Sequence, residues 1–129
     1  MKQKRVPRGG CVLHPRFRIL SGAAIAFGPG KADLLEALQA TGSITKAAGR
    51  LGMSYMRAWM LIRTMNRCFH EPVVVAIRGG TQGGGGAALT ETGRQALTLY
   101  RRMERKCVHA VQLDWKKFQR LMKRKAAGR

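Results

Sequence analysis

Acidic side chains are scarce: six Asp and Glu stand against 25 Lys and Arg, leaving a formal charge of +19. Such an imbalance repels itself unless an anionic partner or salt offsets it, and nucleic acid is the first partner it implies. So few carboxylates also leave Ser21, Ser43 and Ser54 without the His and Asp companions of nucleophilic catalysis, so no enzyme is expected. Cysteine is sparse as well. Cys11, Cys68 and Cys107 are odd in number, far apart and without a CxxC pair or a matching histidine cluster. They read as reduced thiols, with no metal site and no cofactor expected. His14, between Leu13 and Pro15, supports neither metal binding nor acid–base work. Long apolar runs are missing too. The N-terminus, MKQKRVPRGGCVLHPRFRIL, holds no stretch long enough for a signal peptide or a membrane span. No segment joins a broad apolar face to a lysine flank as a lipid-lying helix would. A cytoplasmic protein without membrane contact is the expectation.

Against these absences stands a chain of 129 residues with 45% hydrophobic content. That suffices for one modest domain, whose core is small because much of the apolar content is Ala. Its organising stretch is TGSITKAAGRLGMSYMRAWMLIRTMNR, residues 41 to 67. Ser43 and Ser54 stand where helix N-caps belong. Ile44, Ala47, Ala48 and Leu51 recur at spacings of three and four, and the two alanines allow a second helix to cross closely. Gly52 is free to take positive φ and end the first helix. In the second, Ala58, Ile62 and Met65 form an inner stripe. Met56, Arg57, Met60, Arg63 and Arg67 form an outer, basic one. Trp59 lies between the two faces and reads as partly core. The pair has the layout of a helix-turn-helix, whose second helix enters a major groove. A plain helical hairpin with solvated arginines gives the same stripes, and the charge balance favours the DNA-binding reading.

Around this centre the other segments fall into order. Residues 1 to 15 read as a basic, flexible arm. Phe17 and Ile19 alternate with Arg16 and Arg18, a strand pattern, and Ala24 to Phe27 can form a second extended piece before Gly28-Pro29-Gly30. The next helix, KADLLEALQATG, places Leu34, Leu35 and Leu38 on one side and ends at Gly42. It carries Asp33 in its first turn, where the helix dipole favours a negative charge. Beyond Arg67, Val73, Val74, Val75 and Ile77 prefer the extended form, and Ala87 to Leu89 can return antiparallel. The glycine-rich connection fits a DNA-facing wing or a passive linker. Arg78 at its base favours the wing, in which Arg78, Gly79, Gly80, Gln82 and Gly84 approach the phosphate backbone. A phosphate-binding loop is disfavoured, because the Lys-Ser or Lys-Thr ending it requires is absent.

Thr90 or Thr92 can cap a final helix. Ala96, Tyr100, Met103, Cys107, Val111, Trp115, Phe118 and Met122 then recur at helical spacing. Unbroken, this helix approaches about 50 Å, too long to be covered by so small a domain. A partner chain in a two-fold dimer is the economical cover, and a bend near His109 is the alternative. The domain plan is therefore a basic flexible arm at 1–15, a winged helix-turn-helix domain at 16–90, a long dimerisation helix at 91–124 and a basic tail at 125–129. The fold class is mainly α with a small β wing.

The segment LLEALQATGSITKAAGRLGMSYMRAWMLIRTMN, followed by VVVAIRGGTQGGGGAALTETGRQALTLY, resembles the N-terminal winged helix-turn-helix domain of molybdate-responsive transcriptional regulators of the ModE type, and more distantly that of LysR-type regulators. The resemblance spans about residues 16 to 108 and implies a dimer that binds double-stranded DNA. In that picture Ser54 to Arg67 form the recognition helix, the wing touches the flanking backbone, and the helix from Thr92 joins the subunits. By their own chemistry, Ser54 and Tyr55 can hold phosphates or nearby base edges, Met56 and Met60 can lie against thymine methyls or sugar edges, and Arg57, with Arg63 as a second candidate, can offer a fork to guanine. Family members that sense molybdate carry small β-barrel domains after the long helix. This chain ends in a basic tail instead, so no molybdate binding is expected within it. The expected function is a sequence-specific transcriptional regulator, acting as a repressor. A non-specific nucleic-acid-binding or nucleoid-associated protein is the alternative.

Overall fold

The computed structural model describes residues 10–78 and 86–123. The expected wing contacts Gly79, Gly80, Gln82 and Gly84, the start of the basic arm and the tail at 125–129 lie outside the described residues.

The fold is mainly helical with two small antiparallel hairpins. The first pairs β1 (Ile19–Ser21) with β2 (Ala24–Phe27) across a turn at Gly22, whose φ of +60° suits a hairpin tip. The strand thus begins at Ile19, later than the Arg16–Ile19 alternation indicates. Phe17 turns inward instead, its ring 5.0 Å from that of Tyr100. Cys11, Val12 and Leu13 are half-buried, so the arm as described is not wholly solvated.

Helix α1 (Pro29–Thr41) begins two residues before the expected Lys31, with Pro29 at a first-turn position that needs no N–H donor. The earlier start corrects the reading of Asp33: it is not in the first turn, and its carboxylate is held by Arg101 at 2.8 Å. The helix ends at Gly42, which has φ +71° and donates its N–H to the Leu38 carbonyl at 2.7 Å. Leu34, Leu35 and Leu38 are fully buried, making α1 the centre of the core.

Against it pack α2 (Ile44–Arg50) and α3 (Tyr55–Cys68). Ala47 and Ala48 are buried at the crossing, and Ala58, Ile62 and Met65 form the inner stripe of α3. Both serine caps are present: Ser43 Oγ accepts the Lys46 N–H at 3.2 Å and Ser54 Oγ accepts the Arg57 N–H at 3.1 Å. The second hairpin, β3 (Val74–Ile77) with β4 (Gly86–Leu89), pairs Val74 with Leu89 and Ile77 with Gly86.

Helix α4 (Glu91–Ala110) is capped by Thr90, whose Oγ1 accepts the Gly93 N–H at 3.0 Å and donates to the Pro72 carbonyl at 2.6 Å. Its first turn lies so close to β3 that a Cβ on Gly93 would sit 2.1 Å from the Val73 carbonyl oxygen. Tyr100 completes the core between Phe17 and Phe27, its ring 5.0 Å from each, and its hydroxyl donates to the Phe17 carbonyl at 2.8 Å. The expected long helix is interrupted at Val111, which stands between α4 and α5 (Gln112–Leu121) with φ −101° and ψ 10°. There the Gln112 side chain donates to the Val108 carbonyl at 2.7 Å, taking the acceptor that an unbroken helix reserves for the Gln112 backbone N–H.

Candidate nucleic-acid interface

The outer face of α3 follows from a simple count of turns. With its inner stripe at 58, 62 and 65, the residues on the far side must be 56, 57, 60, 63 and 67, and all five are exposed. Met56 is 62% exposed and Met60 49%, and standing four apart they put two thioethers side by side on the outer face. Tyr55 is half exposed at the first turn. Ser54 spends its oxygen lone pair on the helix cap and keeps its O–H free to donate. Met56, Met60, Arg63 and Arg67 therefore share one face of α3 with Arg57 at its edge, whereas Tyr55 lines the groove toward the hairpin and Ser54 caps the helix.

Electrostatics separates the molecule into two sides. No acid occurs between Ala37 and His70, whereas Lys46, Arg50, Arg57, Arg63 and Arg67 all lie there. Three of the six acids gather instead on the α1–α4 side around one cation. Arg101 Nη2 meets Asp33 at 2.8 Å and Glu36 at 2.5 Å, and Nη1 meets Glu104 at 3.0 Å. Burial works against the guanidinium charge, but the hydrogen bonds to Asp33, Glu36 and Glu104 outweigh it and hold Arg101 protonated beyond the usual arginine range. Glu91 is paired with Arg94. Drawing carboxylates away from α3 leaves its positive potential uncancelled.

The wing is held to α3 by a residue whose role the sequence pattern did not single out. Asn66 Oδ1 accepts the Val73 N–H at 2.8 Å and the Val74 N–H at 3.3 Å, while Nδ2 donates to the Val74 carbonyl at 3.1 Å. One amide thus reads three backbone groups where the chain enters β3, fixing the angle between helix and hairpin. A polar residue one place after the buried Met65, followed closely by a strand, is the only sequence signal of that clasp. Between α3, the start of α2 and the hairpin runs a groove of about 500 Å³ whose lining includes Ser43, Tyr55, Trp59, Ile62, Asn66 and Val74. Arg78 is exposed just beyond β3. Trp59 is 37% exposed, in keeping with a place between the two faces, and Arg63 Cζ lies 5.2 Å above its ring.

The expected dimer stripe divides. Tyr100 is buried in the chain's own core, and Ala96 packs against that core, so neither is offered to a partner. Met103, Cys107, Val111 and Phe118 are exposed, joined by Leu99, Leu113, Leu121 and Met122, and Trp115 stacks on Phe118 at 6.2 Å. Among the described residues, no helix is long and apolar enough to cross a membrane, and no group of three His, Cys, Asp or Glu could hold a metal ion.

No family model matches the chain. Curated proteins do. The molybdenum transport protein ModE of Azotobacter vinelandii is 48% identical over 71 residues, covering 55% of this chain and 26% of the relative. The molybdenum-pterin-binding protein MopB of Rhodobacter capsulatus is 38% identical over 86 residues, covering 67% of this chain and 32% of the relative. The DNA-binding transcriptional dual regulator ModE of Escherichia coli K12 is 39% identical over 72 residues, covering 56% and 27%. The matches thus span about a quarter to a third of the length of these relatives. Taken with the helix pair and hairpin, these identities make the matched part of the chain homologous to part of the ModE-type winged helix-turn-helix transcriptional regulators.

Proposed function

We propose that this chain binds double-stranded DNA with sequence preference, as a two-fold dimer, and regulates transcription by occupying its site. One observation supports this above the others: α3 presents three arginines and two exposed methionines on a single face, in a stretch from which every carboxylate is absent. Arginine edges match guanine O6 and N7, and methionine thioethers suit thymine methyls and sugar edges, so the face has the chemistry to read bases as well as to attract phosphates. Ser54, Tyr55 and Arg78 are assigned to phosphates on either side of the groove. The proposal involves binding alone, with no covalent step, no cofactor and no molybdate held by the described residues.

A second copy of the chain is proposed to cover Met103, Val111, Phe118 and the neighbouring apolar residues of α4 and α5. Occupancy of a promoter-proximal site by such a dimer blocks polymerase, which makes repression the expected outcome. Selection of bound fragments from sheared genomic DNA tests the reading. It predicts pseudo-palindromic sites with half-sites one helical turn apart or a multiple of it. Sedimentation of the free protein should return twice the chain mass of 14.3 kDa. Enrichment of unrelated sequences, with affinities that fall together as salt rises, would instead mark a general nucleic-acid-coating protein.

A further inference from the structure

We propose that Trp59 sets the sequence specificity of this surface by positioning Arg63, a role that rests on the DNA-binding reading of α3. The two residues stand four apart on α3, so their side chains fall on the same strip of the helix. Arg63 Cζ lies 5.2 Å from the centre of the indole ring, within the range of a cation–π contact. Among the described residues Arg63 forms no ion pair, and no carboxylate lies on α3 to compete for it.

The stack engages only the face of the guanidinium. Its N–H groups point outward in the plane, unspent, and that edge is the part a guanine O6/N7 pair or a phosphate takes up. A free arginine on an exposed helix samples many rotamers and loses that freedom on binding. Trp59 removes much of the loss beforehand. The indole is more than half covered and lines the groove between α3 and the hairpin beside Tyr55, Ile62 and Asn66, which narrows the positions it can take. Among the described residues no aromatic ring underlies Arg57. It sits at the first turn of α3, where its backbone N–H goes to the Ser54 cap. The geometry therefore makes Arg63 the guanine contact oriented before binding and leaves Arg57 a base contact that is ordered on binding.

A double-mutant cycle in the full chain tests this. Trp59→Leu, Arg63→Ala and the double variant are titrated against a duplex selected from genomic DNA and against a scrambled duplex of equal length. Trp59→Leu should weaken binding to the selected duplex by about five-fold, with scrambled DNA affected less than two-fold. In the Arg63→Ala background the same change should have no further effect. Replacing one guanine of the site by 7-deazaguanine, which lacks N7, should weaken the wild type but not Arg63→Ala. Trp59→Phe, which keeps an aromatic face and a similar volume, should recover at least half of the loss, and this variant carries the test if Trp59→Leu does not fold. Equal losses on both duplexes, or a Trp59→Leu loss that persists without Arg63, overturns the proposal while leaving DNA recognition standing. A wild type without preference for any selected duplex overturns both.

Discussion

Replacing Asn66 by alanine should loosen the wing without touching any residue assigned to DNA. Three bonds go: Val73 N–H to Oδ1 at 2.8 Å, Val74 N–H to Oδ1 at 3.3 Å, and Nδ2–H to the Val74 carbonyl at 3.1 Å. A neutral hydrogen bond contributes about 1 kcal/mol net, so the three together offer about 2–3 kcal/mol, discounted for the long one. Val73 is fully buried, so its N–H cannot turn to water, and leaving it unpaired brings the loss to about 2–4 kcal/mol. A domain of this size has a total stability of about 5–15 kcal/mol, so the variant should fold with a clearly lowered midpoint in urea. Asn66→Asp is the informative companion. It keeps an acceptor for the two N–H groups but sets a carboxylate oxygen against the Val74 carbonyl. It should therefore fall between wild type and alanine at neutral pH. Affinity for a selected duplex should drop in step with stability, because the hairpin loses its fixed angle to α3. A stability loss under about 0.5 kcal/mol, or Asn66→Asp as damaging as Asn66→Ala, would refute the clasp.

Further outcomes follow from the same geometry. Gly93→Ala places a Cβ at 2.1 Å from the Val73 carbonyl oxygen, a clash with backbone that no rotamer change relieves. It should cost at least about 3 kcal/mol, read as a lowered thermal midpoint, whereas the exposed Gly49→Ala should stabilise α2 by about 0.5–1 kcal/mol. Ser54→Ala removes the α3 cap and should cost about 1 kcal/mol in urea unfolding. Tyr100 gives a pH test: burial, aided by the negative charge of Glu104, raises its phenol above the ordinary value of 10.0. Its folded pKa lies above the unfolded one, so its stabilising contribution is complete below pH 10 and is lost as pH rises through the folded value. Urea unfolding compared above pH 10 should show alkaline destabilisation that Tyr100→Phe lessens. Arg57→Ala should cost about 1–3 kcal/mol on the selected duplex and little on a scrambled one, measured by anisotropy.

The helix pair was legible because its signals are local. Ser43 and Ser54 cap as their position before apolar stripes indicates, and Ala47, Ala48, Ala58, Ile62 and Met65 bury as their spacing requires. The hairpin at 74–89 was legible for the same reason, a β-branched run with a return strand. What misled were features decided by distant partners. Gly28-Pro29-Gly30 looks like turn punctuation, yet Pro29 opens α1 and moves Asp33 out of the first turn toward Arg101, which is 68 residues away in sequence. Tyr100 fits the periodicity of an outward stripe, but Phe17 and Phe27 take it into the core from 83 and 73 residues upstream. Asn66 and Trp59 show their work only when the hairpin and Arg63 are in place. The break at Val111, where the Gln112 side chain bonds a carbonyl one turn back, leaves no mark in the apolar periodicity.

The central claim is sequence-selective DNA binding by the basic face of α3. Fluorescence anisotropy at about 150 mM salt tests it most directly, comparing a duplex selected from sheared genomic fragments with a scrambled duplex of equal length. The account predicts a dissociation constant at least about 1,000-fold tighter for the selected duplex. Affinities that agree within a few-fold and weaken together as salt rises would contradict it, assigning the charge of +19 to general attraction for polyanions.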